Sequence, residues 1–264
     1  MPTLFVVEIA FWLSVFLVMF TYMIYPAWVY SLAKSRKHRQ ISVEKSELPS
    51  VTVVVAVYNE EDVLPNKLRN LTAIDYPTER ITFLFGSDGS TDQTHRILEG
   101  SVLRGVSVQQ FSVRRGKACV LNDLISQADG EIVVFSDANT MFRPDTIRKL
   151  VRHFADPNVG GVSGELRLDD HPETVSGIGE ASYWDYENLL KQMESDVHSI
   201  VGATGGVYAI RRQLYEPLPT TKAVTDDFLI PLNIIKRGFR VKYDREARAY
   251  EKGSDSIGSE FRRK

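Results

Sequence analysis

The chain has 264 residues, with 32 Lys and Arg against 34 Asp and Glu and a formal net charge of −2. A hydrophobic share of 43% is enough for a large core and excludes a disordered or collagen-like chain. The single cysteine, Cys119, excludes an intrachain disulfide and a paired-cysteine metal site. The near-neutral charge gives no overall footprint for nucleic acid.

The N-terminus departs from these averages. Leu4 to Tyr30 is apolar with Glu8 as its one charge, and Ile9 to Tyr30 gives 22 residues with none. As a helix that run is about 33 Å long, enough to cross a bilayer core. Lys34, Arg36, Lys37 and Arg39 follow, so the positive-inside tendency leaves the rest of the chain in the cytoplasm. The expectation is a transmembrane helix over residues 1–33, a basic juxtamembrane linker over 34–48 and a cytoplasmic domain over 49–264, at the inner or plasma membrane. The linker's basic cluster is either a topology signal or a contact for anionic headgroups. A signal peptide fits less well, because the early basic residue is missing. A buried core helix is the other rival.

The elements alternate from residue 51 onward. VTVVVAV (51–57) is an apolar β-branched strand suited to a sheet covered on both faces. A helix is predicted from Glu61 to Leu71, a strand over 81–85, and a helix over about 92–100. A third strand covers Val106–Phe111, a helix about 117–127, and a fourth strand 132–135. Pro144 opens a helix to about 153. This rhythm predicts an α/β fold around a mostly parallel sheet, with ligands at the C-terminal strand ends. Beyond residue 158 come a glycine-rich strand (160–164), a helix within 173–194, and the strand VYAI after Gly206. A helix from Asp226 and two short edge strands, 241–243 and 247–250, complete the pattern.

There is no G-x-G-x-x-G after the first strand, no P-loop, and no H-E-x-x-H. The five histidines are scattered and read as structural. What remains is a set of loop carboxylates: Glu60, Asp88, Asp92, Asp137, Asp226 and Asp227. Asp137 and Asn139 fit either oxygen ligation of Mg²⁺ or Mn²⁺, or an Asx-turn ending a strand. Asp88 fits a base or sugar contact, with Ser90 or Thr91 as helix caps. Arg114, Arg115 and Lys117 fit phosphates or a solvated face. Asp226-Asp227 fits a site or an ordinary helix cap. Tyr183, Trp184 and Tyr186 fit sugar stacking or core packing.

In order, VTVVVAVYNEE (51–61), SDGSTDQT (87–94), GKACVLND (116–123), EIVVFSDANT (131–140), VGATGGVYAIRR (201–212) and TDDF (225–228) resemble the processive-type family 2 glycosyltransferases. These include cellulose, chitin, hyaluronan and poly-N-acetylglucosamine synthases. The resemblance covers about residues 49–263. It implies a GT-A nucleotide-diphospho-sugar transferase fold. It also implies inverting transfer of a sugar to a saccharide or lipid-linked acceptor, in polysaccharide or glycolipid synthesis. The donor it implies is UDP-linked, UDP-glucose or UDP-N-acetylglucosamine, used with Mg²⁺ or Mn²⁺.

By the same resemblance Val57, Tyr58, Asn59 and Glu60 line the nucleotide pocket, and Asp88 contacts the base. Lys117 and Asn122 lie near the donor. Asp137 opens the D-x-D metal motif, with Asn139 in place of its second aspartate. Thr204, Gly205 and Gly206 form the acceptor-side loop. Asp227 is the catalytic base, with Asp226 where the family has glutamate. The family's Q-x-x-R-W element and its later membrane helices are missing, so the expectation is a chain truncated near Phe261-Arg262-Arg263. The alternative that follows is a catalytically impaired nucleotide-sugar-binding fragment, or a partner subunit of a complete synthase.

Overall fold

The structure is a computed structural model, and it describes residues 2–35, 48–168, 175–221 and 224–251. Most of the expected 34–48 linker, the stretch from residue 252 and the side chain of Tyr183 lie outside the described residues.

The N-terminal segment is helical throughout: α1 (Pro2–Met19), a π-helical turn (Phe20–Ile24) and α2 (Tyr25–Ser35). Pro26 explains the turn. It has no N–H for the carbonyl of Tyr22, and its ring would strike that carbonyl, so one wider turn separates two regular helices. Phe5–Ser35 is long and apolar enough to cross a membrane. Its apolar side chains before Tyr25 are mostly exposed. The second half is anchored: Tyr25 Oη donates to Glu194 Oε1 at 2.6 Å, the rings of Tyr22 and Tyr186 lie 6.5 Å apart, and Val29 is buried.

The remaining strands are β1 (Val51–Val57), β2 (Ile81–Asp88), β3 (Val106–Phe111), β4 (Ile132–Phe135), β5 (Thr140–Phe142), β6 (Val159–Leu168), β7 (Tyr208–Arg211) and β8 (Arg240–Glu251). The helices between them are α3 (Leu64–Thr72), α4 (Thr94–Glu99), α5 (Lys117–Gln127), α6 (Thr146–Val151), α7 (Val175–Val197) and α8 (Asp226–Lys236). One eight-stranded sheet runs β3-β2-β1-β4-β7-β6-β8-β5. β1 pairs in parallel with β2 and β4, β2 with β3, and β6 with β8. β7 runs antiparallel to both its neighbours, and β5 to β8.

Strand period two divides the core into two layers. Val51, Val53, Val55 and Val57 face one cluster with Leu64 and Leu71 of α3 and Ile147 and Leu150 of α6. Val54 faces the other, with Val120, Leu121 and Leu124 of α5 and Ile230 and Ile234 of α8. A strand buried on both sides reads as a continuous apolar run, which is how β1 was recognisable.

Two expectations are corrected, and one element is new. Residues 241–250 are not two short edge strands but one twelve-residue strand, β8, lying between β6 and β5. It pairs with β6 across a register shift at Gly164/Glu165. The polar Asp244-Arg245-Glu246 read as a break, yet Asp244 is buried and bound by Arg152 and His153. β5, only three residues long, was not expected at all. α3 begins at Leu64 rather than Glu61; residues 61–63 form a turn in which the Val63 and Leu64 amides both donate to the Glu60 carbonyl, at 3.1 and 3.0 Å.

Candidate active site

The C-terminal ends of β1, β2 and β4 bring the first group of candidate residues together. Val57 closes β1 as a buried residue. Asn59 follows with φ 53°, a left-handed conformation that Asn tolerates better than most residues. Its Oδ1 accepts from the Thr91 amide at 2.8 Å and its own amide donates to Ser90 Oγ at 3.1 Å. The Glu60 and Glu61 amides bond the next turn of the same loop. Residues 58–61 and 90–94 therefore form one bonded rim. The guanidinium of Arg114 lies 4.1 Å from the centre of the Tyr58 ring, a cation–π contact on the edge of this opening.

Asp88, 4% exposed, ends β2. Its two carboxylate oxygens accept the amides of Arg115 and Gly116 at 2.8 Å each. It thus holds the loop leading into α5, and each oxygen retains acceptor capacity.

Lys117, the first residue of α5, connects this rim to the second group. Its Nζ lies 2.9 Å from Asp137 Oδ1, just past β4, and 3.2 Å from Asp226 Oδ1, the first residue of α8. Partial burial works against the charged ammonium, but Asp137 and Asp226 outweigh it and hold its pKa above the usual lysine range. Asp226 Oδ2 also accepts from the Tyr208 hydroxyl at 2.9 Å. The Tyr208 ring is stacked on Phe135 with centroids 4.3 Å apart. Asp226 is thus buried and fixed, while its neighbour Asp227 is more open. Burial, and then the charges of Asp226 and Asp137, raise the Asp227 pKa; Lys117 pulls it the other way.

The loop 200–206 lies on Asp227. The Ala203 amide donates to the Asp227 carbonyl at 2.8 Å. The Thr204 amide donates to Ser163 Oγ at 2.9 Å. A β-carbon on Gly205 would stand 2.9 Å from Asp227 Oδ2, and one on Gly206 would stand 2.2 Å from Thr140 Oγ1. Gly206 leaves no room for a side chain, whereas at Gly205 the clash is only with the movable end of the Asp227 side chain.

Two candidates stand differently. The Asn139 amide nitrogen donates to the Glu251 carboxylate, across the β5–β8 pairing. Asn122 has its Oδ1 bonded by Tyr215 Oη and the Leu218 amide at 2.6 and 2.8 Å, and its Nδ2 donates to the Leu218 carbonyl at 2.9 Å. Its amide fastens α5 to residues 215–218. Of the aromatic trio on α7, Tyr186 faces Tyr22 of the N-terminal helix.

Three carboxylates and one ammonium leave excess negative charge on an oxygen-only donor set. That chemistry fits a hard divalent cation such as Mg²⁺ or Mn²⁺. Among the described residues no three His, Cys, Asp or Glu side chains form a metal cage. A cation held at Asp137 would therefore complete its shell with ligand oxygens and water, as Mg²⁺ commonly does.

Sequence reading missed Lys67, Asn70 and Tyr208. Lys67 had a signal: it falls between Leu64 and Leu71 on the helix face that is otherwise apolar. Asn70 and Tyr208 had none, since a polar helix residue and a strand tyrosine are both ordinary.

This architecture, a sheet with the acidic residues at its β1, β2 and β4 ends and a glycine loop over α8, is that of the GT-A nucleotide-diphospho-sugar transferases. The profile described as glycosyl transferase family 2 matches residues 52–218, and the chain belongs to that family. It is 26% identical over 229 residues to the poly-beta-1,6-N-acetyl-D-glucosamine synthase of Staphylococcus aureus strain MSSA476, covering 84% of this chain and 54% of that one. To the corresponding Staphylococcus epidermidis synthase it is 24% identical over 236 residues, 87% of this chain and 57% of the relative. The chain thus spans little more than half the length of these relatives. Among solved structures, the mannosyltransferase PcManGT of Pyrobaculum calidifontis, in complex with GDP-Man and Mn²⁺, matches with TM-score 0.72. Its identity is 28%, over 90% of this chain and 67% of that one. TarS 1-349 of Staphylococcus aureus, in complex with UDP-GlcNAc, shares the fold with TM-score 0.61. It is 17% identical, over 78% of this chain and 59% of that one.

Proposed function

We propose that this glycosyltransferase moves a hexose or N-acetylhexosamine from a UDP-linked donor to a saccharide or lipid-linked acceptor hydroxyl, with inversion, in polysaccharide or glycolipid synthesis. The observation that carries the reading is the Lys117 bridge between Asp137 and Asp226, with Asp227 and the Gly205 loop beside it.

In this reading the 58–61 and 90–94 rim and Asp88 bind the nucleoside. Lys117 neutralises part of the diphosphate charge. Asp137 holds Mg²⁺ or Mn²⁺, with Asn139 alongside; when bound, the cation offsets negative charge on the leaving nucleoside diphosphate. Asp227 accepts the proton of the acceptor hydroxyl. The hydroxyl oxygen forms its bond to the anomeric carbon as the bond to the diphosphate oxygen breaks, and the nucleoside diphosphate leaves with that electron pair. Asp226, fixed by Tyr208 and Lys117, orients the start of α8. Thr204, Gly205 and Gly206 admit the acceptor to Asp227. The helix to Ser35 anchors the domain to the inner or plasma membrane, with the domain on the cytoplasmic side.

The synthase relatives and their N-acetylglucosamine polymer support an N-acetylhexosamine donor. A second reading has its own support: the mannosyltransferase that matches most of this chain is bound to GDP-Man. Calorimetric titration of the full chain in detergent with UDP and with GDP, each with and without Mn²⁺, tests both. Tighter binding of UDP, enhanced by Mn²⁺ and weakened by Asp137→Ala, supports the first reading. Preference for GDP replaces it with the second, and no binding of either by folded protein overturns the donor site.

A further inference from the structure

Lys67 is fully buried in α3. Its Nζ donates to Ser136 Oγ at 2.6 Å and to the Thr140 carbonyl, and lies 4.7 Å from the centre of the Phe142 ring. Ser136 and Thr140 are the residues on either side of Asp137, Ala138 and Asn139. One side-chain nitrogen therefore holds both ends of the loop assigned to the cation. One turn further along the same helix, Asn70 bonds the backbone of Phe142 twice, donating at 2.7 Å and accepting at 2.8 Å. α3 thus grips the whole segment 136–142.

Core packing does not ask for a cation here. Leu64 and Leu71 fill the same face of α3 with hydrocarbon. Burying an ammonium whose acceptors are a hydroxyl and a carbonyl is unfavourable. Burial brings the Lys67 pKa down to about 7, against the opposing pull of Asp137. The same loop also meets the acceptor side. Thr140 Oγ1 is buried without a hydrogen-bond partner and occupies the space a β-carbon on Gly206 would need. Displacing Thr140 would therefore move the cation loop and the glycine loop together.

We propose that Lys67 is a positioning residue: by clamping Ser136 and Thr140 it sets the Asp137 loop for cation-assisted binding of a nucleoside diphosphate, and sets the height of the Gly205-Gly206 loop against it. The first half rests on the cation reading given above; the second does not.

The test uses the full chain in detergent and two variants. Lys67→Met keeps length and removes the ammonium. Ser136→Ala removes one of its acceptors and serves if Lys67→Met does not fold. Amide hydrogen exchange without ligand reads the clamp directly. Residues 137–142 and 204–207 are expected to exchange about tenfold faster in Lys67→Met while β2 and β3 keep wild-type protection. Titration with UDP reads the consequence. The gain in affinity given by Mn²⁺ is expected to fall about tenfold, with metal-free affinity changed less than about twofold. Ser136→Ala should shift both readouts the same way, by less. Unchanged exchange in the two loops overturns the proposal, as does an equal acceleration of every core amide, which marks a packing role alone. If wild-type UDP binding ignores Mn²⁺, the cation reading fails and the exchange pattern alone decides the clamp. If Mn²⁺ enhances wild-type binding and Lys67→Met keeps the full enhancement, positioning of Asp137 is refuted.

Discussion

Pro231 lies four residues after Asp227 in α8 and cannot donate to its carbonyl, and the amide of Ala203 takes that carbonyl instead, at 2.8 Å. A proline inside a helix removes one i→i−4 bond. Here the vacated acceptor ties the glycine loop to the first turn that carries the acidic pair. Pro231→Ala would restore a competing amide. We expect unchanged or raised stability, by at most the roughly 3 kcal/mol that separates Pro from Ala in a helix interior. We expect the transfer rate to fall several-fold because residues 203–206 lose their anchor. Thermal unfolding and initial rates measured together check this; a faster variant contradicts it.

Asp227 gives a prediction in pH. Its folded pKa is raised, by burial and then by Asp226 and Asp137, with Lys117 opposing. A raised carboxylate contributes stability that is full below its unfolded pKa and is lost as pH rises through the folded value. Ionised Asp227 is therefore a burden on the fold at neutral pH and, in the proposed mechanism, the base. Asp227→Asn is expected to unfold at the same or a higher temperature at pH 7, with that advantage shrinking toward pH 4. Its transfer rate should fall about 10²- to 10⁴-fold, the usual worth of a general base. In the wild type, kcat/KM should rise with pH through a value above the ordinary aspartate range. A variant both destabilised and active would reverse the assignment.

The parts of this protein that could be read from its residues are those with a strong period or an unambiguous length. VTVVVAV is buried on both faces, and the apolar run before Lys34 is helical. Lys117, Asp137 and the Asp226-Asp227 pair, taken from three separate motifs, come together, with the Lys117 ammonium bridging Asp137 and Asp226. Other parts were illegible for physical reasons. β8 hides two patches of strand behind a charged bulge whose Asp244 is buried only because Arg152 and His153 reach it from another element. β5 is too short to show alternation. The amide of Asn122 is engaged by Tyr215 and Leu218, nearly a hundred residues later in the chain. Such a partner carries no local signal.

The two glycines of the 204–206 loop predict different outcomes. A methyl at Gly205 meets only the free end of the Asp227 side chain, whereas one at Gly206 meets Thr140 at 2.2 Å within the buried interior. Gly205→Ala should cost little stability, because the carboxylate can rotate away, but it displaces the carboxylate proposed as the base and should lower kcat about tenfold or more. Gly206→Ala should destabilise by about 1–3 kcal/mol, the usual penalty for overpacking. Denaturant midpoints and rates for the pair separate these cases; equal stability losses would sink the distinction.

Asp88 supports the fold and, in the proposed function, the nucleoside in one place. Each of its oxygens accepts a backbone amide of the loop before Lys117, from Arg115 and Gly116. Asp88→Ala leaves two amides without their acceptor, at about 1–3 kcal/mol for each one that water cannot reach. Arg115 and Gly116 lie near the surface, so solvent recovers much of that and a loss near the lower figure is expected. The larger effect is on the site. With residues 113–116 released, Arg114 leaves Tyr58 and Lys117 loses its fixed start to α5. UDP affinity should then drop about tenfold or more, both with and without Mn²⁺. Asp137→Ala differs, because only its Mn²⁺-dependent part should vanish. Calorimetry on the two variants side by side is the check. Loss confined to the Mn²⁺-dependent part in Asp88→Ala would place Asp88 with the cation rather than with the nucleoside.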